Sequence, residues 1–213
     1  MSEQAVKRTP SRDRQATEQR LRDAVGALLA REGFGALGVR AVAREAGVDP
    51  MLVGRYFGGL PGLFQSYARS EAFWPGVSEI TQDGAFAHLP LAERLSRVLV
   101  NFTEALARRP ITCEILAWEA AQRSELTEAL DQARLAAVAA VTAQCLPELA
   151  APGEEAAQAN ALFTLLGAAV HYIAIRNRHA DQDWGGLGVR NPEGRARLSA
   201  VLTRTCAAAL TTR

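Results

Sequence analysis

The side chains best suited to binding chemistry are arginines that lie on either side of residue 47. Arg40 and Arg44 are four residues apart, so a helix would place both guanidinium groups on one face. Arg55 follows in the next apolar stretch. A guanidinium group presents a planar fork of donors that matches phosphate oxygens. The segment that contains Arg44 and Arg55, VAREAGVDPMLVGRYF (42–57), forms either a device for reading DNA or only a tight corner between two helices.

The residues around Gly47 predict two short helices with a break between them. Before the break, apolar side chains recur with helical spacing, at Val39, Val42, Ala43 and Ala46. Gly47 suits the left-handed conformation that ends a helix. Asp49 is a strong N-cap, and Pro50 begins a second helix that runs to about Phe57. Three residues at this spacing suit the steep crossing of a helix–turn–helix: the small Ala43, the turn residue Gly47 and the branched Val53.

The flanking sequence favours the DNA-reading interpretation. Upstream, an apolar stripe predicts another helix, closed by Gly33: Leu21, Ala24, Val25, Leu28 and Leu29. Downstream, FGGLPGLFQSY restarts a helix near Pro61. The stretch LLAREGFGALGVRAVAREAGVDPMLVGRYFGGLPGLF (28–64) resembles the DNA-binding domain of the tetracycline-repressor (TetR) family, and the resemblance extends over about sixty residues. EGFGALGVRAVAREAGV and RYF carry most of it.

The resemblance implies that the second helix of the pair enters the major groove of double-stranded DNA. Seven residues within the helix–turn–helix span Gly38 to Phe57 are the expected DNA-binding residues: Arg40, Arg44, Asp49, Met51, Gly54, Arg55 and Tyr56. Of these, Arg40, Arg44 and Tyr56 are expected to contact mainly phosphate.

Three positions depart from the family pattern. The family usually has Ser or Thr where Gly38 stands and Lys where Leu60 stands, so two expected phosphate contacts are absent. Gly54 replaces a bulky residue, and glycine inside a helix costs about 0.5–1 kcal/mol relative to alanine. We expect DNA binding to be retained with fewer phosphate contacts.

Charge is unevenly distributed along the 213 residues. Residues 1–60 contain ten Lys and Arg against seven Asp and Glu, a net charge of +3, whereas the whole chain carries +1. The remainder therefore carries −2, as expected when only the N-terminal part faces phosphate. The polar segment MSEQAVKRTPSRDRQ (1–15) is either a disordered arm or an arm whose Arg12 and Arg14 reach DNA.

Other functional classes lack support in the sequence. The cysteines suit small buried residues in a reducing cytoplasm: Cys113, Cys145 and Cys206. The histidines lack metal-ligand spacing: His88, His171 and His179. We expect no enzyme activity, no cofactor, no metal and no membrane partner, because nucleophile–base motifs, phosphate loops and uninterrupted apolar runs of eighteen residues are missing.

The remaining sequence predicts further helices and no strand. Predicted helices cover 91–108, 111–122, 124–146, 154–179 and 192 to the C-terminus, after a connecting segment at 76–90. The helix from Pro61 is predicted to run to Trp74 and to pack against the first helix and the second domain through Leu63, Phe64, Tyr67 and Phe73. The predicted fold is all-α: an N-terminal three-helix helix–turn–helix DNA-binding domain (15–75) and a C-terminal helical ligand-binding and dimerisation domain (76–213).

The resemblance implies a homodimer through residues 154–179 and 192–210, and a small-molecule effector bound within the C-terminal domain. Five residues are the candidate ligand-binding residues: Phe102, Glu114, Trp118, His171 and Tyr172, with Glu119 as a further acidic candidate. A core position for Trp118 and an interface position for His171 remain alternatives.

The expected function is a cytoplasmic, ligand-responsive transcriptional regulator. It would be a repressor that binds an inverted-repeat operator as a dimer and is released by an unidentified small-molecule effector. The alternative is a DNA-binding regulator without an effector, controlled by a protein partner or constitutive. An enzyme is the least favoured class.

Overall fold

The computed structural model describes residues 10–121, 124–179 and 183–210. Within them the secondary structure is helical, with ten α-helices and no β-strand. These residues divide into two compact units. The first comprises residues 10–69 together with 124–130, and the second comprises 70–121, 131–179 and 183–210. The all-α prediction is confirmed.

The first unit contains α1 (Pro10–Glu32), α2 (Val39–Ala46), α3 (Met51–Phe57) and α4 (Leu60–Ala68). Helix α1 contacts α2 and α4, and α3 packs on α4. The core consists of fully buried apolar side chains from all four helices: Leu21, Val25, Leu28, Val42, Ala43, Val53, Leu63 and Phe64. These include Leu21, Val25 and Leu28 of the stripe that predicted α1. They also include Ala43 and Val53 of the crossing pattern of α2 and α3.

Two predictions at the edges of the first unit are wrong. Helix α4 ends at Ala68 and does not reach Trp74, because Arg69 terminates it and a turn follows in which Trp74 N donates to Ser70 O. Phe73 therefore lies outside α4. At the other end, α1 begins at Pro10, so the interpretation of residues 10–15 as disordered is wrong. The alternative, in which Arg12 and Arg14 reach DNA, stays a prediction. Residues 1–9 of the predicted arm lie outside the described residues.

Helix α4 packs against α1 through its aromatic side chains. Phe64 meets Phe34 edge to face, with ring centroids 5.4 Å apart. The Tyr67 ring lies over Gly26 of α1, where an added Cβ would be 3.3 Å from Tyr67 Cε2. Burial of this ring raises the pKa of Tyr67 to about 12. The predicted packing of α4 on the first helix is thus present.

The second unit is built around α6 (Leu91–Ala107). It packs against α5 (Val77–Thr81), α7 (Pro110–Ala121), α9 (Glu154–Asn177) and, most extensively, α10 (Pro192–Leu210). The first turns of α8 (Glu125–Cys145) belong to the first unit and the remainder belongs to the second. The helix is capped by Ser124, whose Oγ accepts a hydrogen bond from the backbone N–H of Thr127. The helix boundaries predicted from capping residues and prolines agree with the observed ones within about two residues.

The cysteines and the apolar helix α9 are two further features of the second unit. Cys113, Cys145 and Cys206 are free and buried, and burial raises the pKa of Cys113 and Cys206 to about 11. Among the described helices, α9 alone has the length and apolar composition of a membrane span, and little of it is buried. It contacts α6 and α7, and its outer apolar face is discussed below.

Candidate DNA-reading helices and effector cavity

The turn between α2 and α3 has the geometry that its residues predict. Gly47 adopts φ 64° and ψ 41°, and the Val48 N–H donates to the Ala43 carbonyl at 3.0 Å, which closes the last turn of α2. Asp49 Oδ1 accepts a hydrogen bond from the Met51 N–H at 2.7 Å and so caps α3. The crossing holds α3 at a fixed angle to α2.

Most of the expected DNA-binding residues lie on exposed faces of these two helices. Arg40, Arg44, Gly54 and Arg55 are exposed, and Met51 is 79% exposed at the start of α3. Among the described side chains, no carboxylate forms an ion pair with any of the three arginines, so their charges are available to an anionic partner. The exposed carboxylate of Asp49 is occupied by its cap.

Tyr56 differs from the other predicted residues because it is half-buried beneath an arginine. The guanidinium carbon of Arg14 lies 5.1 Å from the centre of the Tyr56 ring. Arg14 Nε is in turn 2.7 Å from Glu18 Oε1. A cation from α1 therefore borders the reading face, a contribution that the sequence suggested only as part of a flexible arm.

A second feature that the sequence analysis missed is the close approach of α4 to the end of α3. A Cβ added to Gly62 would lie 1.9 Å from the Phe57 carbonyl oxygen. Only glycine allows this contact, which sets how α4 supports the recognition helix. The signal was present as the third glycine in FGGLPG, but its role depends on a tertiary distance.

Ion pairing also brings the end of α1 close to α2. Arg31 donates to both carboxylate oxygens of Glu45, from Nη1 at 3.1 Å and from Nη2 at 2.8 Å. This bond holds the pKa of Glu45 below its usual value. The pair neutralises an acidic group on the helix that carries Arg40 and Arg44.

A cavity with a volume of about 370 Å³ lies within the second unit. Side chains from α6, α8 and α9 line it, together with Trp74, Pro75 and Ile80. The lining is mainly apolar and includes Val98, Phe102, Val138, Val141 and Phe163. Its size falls in the range of sites that take drug-sized molecules.

His171 is the polar group most clearly defined in this cavity. Its ring stacks on Trp74, with centroids 5.9 Å apart, and lies 4.9 Å from the Phe102 ring. Nδ1 is 2.8 Å from the Gly167 carbonyl oxygen, whereas Nε2 is buried and has no hydrogen-bond partner among the described residues. Burial, with a further contribution from the Arg134 charge, lowers the pKa of His171 and keeps the ring neutral near pH 7.

The structure brings Phe102 and His171 together but places the other predicted ligand-binding residues outside the cavity lining. Glu114 pairs with Arg178 at 3.2 Å and with His179 at 3.0 Å. Trp118 is 38% exposed. Tyr172 is 50% exposed and meets Trp184 edge to face. A step of one residue along α9 thus separates His171, which lines the cavity, from Tyr172, which faces outward.

Arg134 contributes a charge to the cavity wall that the sequence did not reveal. Its Nη1 lies 2.6 Å from Glu119 Oε2, and its Nη2 pairs with Asp131. Glu119 therefore reaches the cavity only through this ion pair. Among the described residues, no group of three or more His, Cys, Asp or Glu side chains is arranged to hold a metal ion.

Comparison with known proteins agrees with this architecture. Residues 21–67 match the model of the family described as bacterial regulatory proteins, tetR family. No curated protein matches the sequence. The fold is similar to that of the fatty acid degradation regulator FadR from Bacillus halodurans, with TM-score 0.64, 13% identity, and coverage of 97% of this chain and 100% of that one.

Two further solved structures extend the likeness. A TetR transcriptional regulator from Rhodococcus sp. RHA1 has TM-score 0.59 and 16% identity, with 94% of this chain and 98% of that chain covered. A tetR-family transcriptional regulator from Streptomyces coelicolor has TM-score 0.59 and 21% identity, with coverages of 92% and 80%. The first unit is therefore a TetR-family helix–turn–helix DNA-binding domain, and the whole chain has the fold of a TetR-family transcriptional regulator.

Proposed function

We propose that this protein is a ligand-responsive repressor. It binds an inverted-repeat operator as a homodimer, and a small-molecule effector in the cavity releases it. The observation that carries the proposal is the presence, in one chain, of a helix pair with unpaired exposed arginines and an apolar cavity with an unpartnered polar atom. We assign DNA binding to residues 15–75 and effector binding and dimerisation to 76–213. The division between compact units at residues 69 and 70 supports a boundary in this region.

The roles of the DNA-reading residues follow from their positions. Arg40 and Arg44 on α2 would contact phosphate, with Arg14 and Tyr56 bordering the same face. Arg55 on α3 would read a guanine edge, because a guanidinium group donates to two acceptors of guanine in the major groove. Met51 would make apolar contact with bases, since its side chain is almost fully exposed.

Dimerisation is supported by the exposed apolar face of the last two helices. Leu165 is 68% exposed on α9, and Val201 is 36% exposed on α10. Tyr172, two turns after Leu165 on α9, forms an exposed aromatic pair with Trp184. Large apolar side chains clustered on a surface mark an interaction site, and a second copy with the same face would bury them around a two-fold axis. That symmetry predicts an inverted repeat in the operator.

The effector would act by shifting a population of dimers. It would favour a state in which the two recognition helices no longer match successive major grooves. An effector produces this shift only to the extent that it binds one state more tightly than the other.

Selection of binding sequences from a random DNA pool tests the DNA-reading role. We expect the bound sequences to converge on two inverted half-sites about one helical turn apart. Repeating the selection with Arg55→Ala should relax one position in each half-site. Sequences without two-fold symmetry would contradict the proposal of a dimeric repressor.

Sedimentation tests the dimer. Leu165→Arg should yield a folded monomer that no longer retains the operator, because one half-site offers few phosphate contacts. Leu165 is preferable to Ala168 for this test, since Ala168 also lines the cavity. Ala140→Arg, on an exposed position of α8, is the matched control and should remain dimeric. A wild-type monomer at micromolar concentration that still binds operator would overturn the dimer.

A fragment screen by thermal shift separates the effector-controlled regulator from the alternative without an effector. Fragments that raise the melting temperature should also release operator DNA. Ala137 lines the cavity, so Ala137→Phe would fill part of its volume. This variant should show neither the rise in melting temperature nor the release of DNA. Fragments that stabilise the wild-type protein without any effect on DNA affinity would favour a regulator controlled by a partner or constitutive.

A further inference from the structure

Few of the polar groups along the cavity wall have a hydrogen-bond donor available to a ligand. The Thr142 hydroxyl donates to the Val138 carbonyl, and the Thr164 hydroxyl donates to the Asn160 carbonyl, each at 2.9 Å. Both hydroxyl protons are therefore used within their own helices, and only the oxygen lone pairs remain. Two lining residues are exceptions. The amide of Asn160 offers both a donor and an acceptor, and the guanidinium of Arg134 keeps N–H groups beyond those in its ion pairs with Glu119 and Asp131.

The free nitrogen of His171 is also an acceptor. A carbonyl oxygen can only accept, so the contact between Nδ1 and Gly167 O requires that Nδ1 carries the proton. In a neutral ring, Nε2 then has a lone pair and no hydrogen. This nitrogen is buried without a partner in the described part of the chain, and it has almost no accessible surface although the His171 ring lines the cavity. A ligand donor therefore reaches it only when the ring rotates slightly, and a buried acceptor of this kind is stabilised by such a donor.

The charges at the cavity disfavour ionic ligands of either sign. Among the described residues that line it, Arg134 is charged and none is an Asp or Glu, so an incoming cation would find no counter-ion. Arg134 is already paired with Glu119 and Asp131, so it has little to offer an anion. A carboxylate or phosphate beside His171 would also face the lone pair of Nε2.

We propose that the effector is an uncharged, largely apolar molecule with a hydroxyl group that donates a hydrogen bond to His171 Nε2. Its apolar part would lie against Phe102, Phe163 and Val138, with the hydroxyl beside the Trp74–His171 stack. The inference rests on the proposed effector role of the cavity and specifies the chemical class that this cavity accepts.

Four probes with one carbon skeleton test this selectivity on the full-length protein without DNA. They are biphenyl and its para-hydroxy, para-carboxylate and para-aminomethyl derivatives, the last of which is a cation at neutral pH. Calorimetry or fluorescence titration of the wild-type protein should rank the hydroxy compound first. We expect it to bind about three- to tenfold more tightly than biphenyl, the range of one net neutral hydrogen bond.

His171→Phe removes the acceptor and keeps an aromatic ring between Trp74 and Phe102. In this variant the hydroxy compound should lose its advantage, so that its affinity approaches that of biphenyl. His88→Phe changes an exposed histidine away from the cavity lining and is the matched control, which should preserve the ranking. Circular dichroism and the melting temperature verify that both variants fold.

The outcomes distinguish failure of the hydroxyl assignment from failure of the proposed effector role of the cavity. A carboxylate or aminomethyl probe that binds as tightly as the hydroxy probe, or a hydroxy preference that survives in His171→Phe, overturns the hydroxyl assignment and leaves the cavity as a ligand site. If no probe binds, or if Ala137→Phe leaves binding unchanged, both the assignment and the effector role of the cavity fail. The wild-type ranking decides the matter even if His171→Phe does not fold.

Discussion

The two candidate sites of this protein use polar groups in opposite ways. On α2 and α3, Arg40, Arg44 and Arg55 point their charges into solvent, and local helix caps fix their positions. In the second unit, the His171 ring lines an apolar cavity and carries one buried acceptor that has no partner among the described residues. Aromatic rings from distant parts of the chain position it. One site offers long-range attraction to a polyanion, and the other offers a short-range bond to a small molecule.

This difference teaches where each site tolerates change. An exposed charge can be removed with little effect on the fold, because it makes few contacts in the free protein. A buried polar atom without a hydrogen-bond partner destabilises the folded protein. A ligand that supplies the partner removes this cost and therefore binds more tightly. Mutations of the exposed arginines on α2 and α3, the DNA reader, should therefore change DNA binding and leave the free energy of unfolding unchanged. Mutations in the cavity should change both ligand binding and the free energy of unfolding.

The largest expected effect tests the framework beneath the reader. Gly62→Ala should destabilise the protein by at least about 2 kcal/mol, because its Cβ would collide with the Phe57 carbonyl. Gly54→Ala is the control: an added Cβ meets no atom within 4 Å, and alanine should stabilise α3 by about 0.5–1 kcal/mol. Urea denaturation of both variants measures the contrast, and equal stabilities would contradict the close approach of α3 and α4.

The next effect separates reading from attraction within the same surface. Arg55→Ala should cost about 1–3 kcal/mol of operator affinity and relax specificity at one base position. Arg40→Ala should weaken binding to all sequences similarly and flatten the salt dependence by about one unit. Titrations at several salt concentrations check both, and an unchanged slope for Arg40→Ala would remove its phosphate role.

Restoring a missing cation should strengthen the reader. Leu60→Lys places the charge that the TetR family usually has at this position, so operator affinity should rise severalfold and the salt slope should steepen by about one unit. Leu60→Gln is the uncharged control and should leave the slope unchanged. A steeper slope in both variants would show that the gain does not come from a phosphate contact.

The stability of the protein should depend on pH because of His171 in the cavity wall. Burial lowers the pKa of His171, so the folded state binds its proton less readily than the unfolded state does. Stability should therefore fall as the pH decreases below about 6.5, the ordinary histidine value, and be regained as the pH rises. His171→Phe should flatten this dependence, whereas His88→Phe should retain it. Denaturation midpoints from pH 5 to 8 measure the difference.

The smallest expected effect concerns the start of α2. Gly38 has an extended backbone, makes no side-chain cap and has free space around an added Cβ. Gly38→Ser should therefore stabilise the protein by only a few tenths of a kcal/mol. It should also tighten operator binding if the hydroxyl reaches a phosphate. Gly38→Ala, which lacks the oxygen, separates the cap from the loss of glycine.

Sequence patterns predicted most of the helices because the signals for helix ends are local. Gly47, Asp49 and Ser124 act through backbone groups within a few residues, and the structure contains the turn and caps they imply. The same reasoning failed for the end of α4. There, the predicted helix runs to Trp74, whereas α4 ends at Ala68 and a separate turn leads to Trp74.

By itself, the sequence determined the class of the first unit, because turn glycines, caps and an apolar period act over short distances along the chain. Only the tertiary structure decided the cavity, because its wall combines residues from Trp74 to His171 on separate elements, and helix rotation determines which side chains face inward. A step of one residue along α9 separates half-buried His171, which lines the cavity, from exposed Tyr172. Periodicity cannot resolve such a step when apolar residues surround most of the helix.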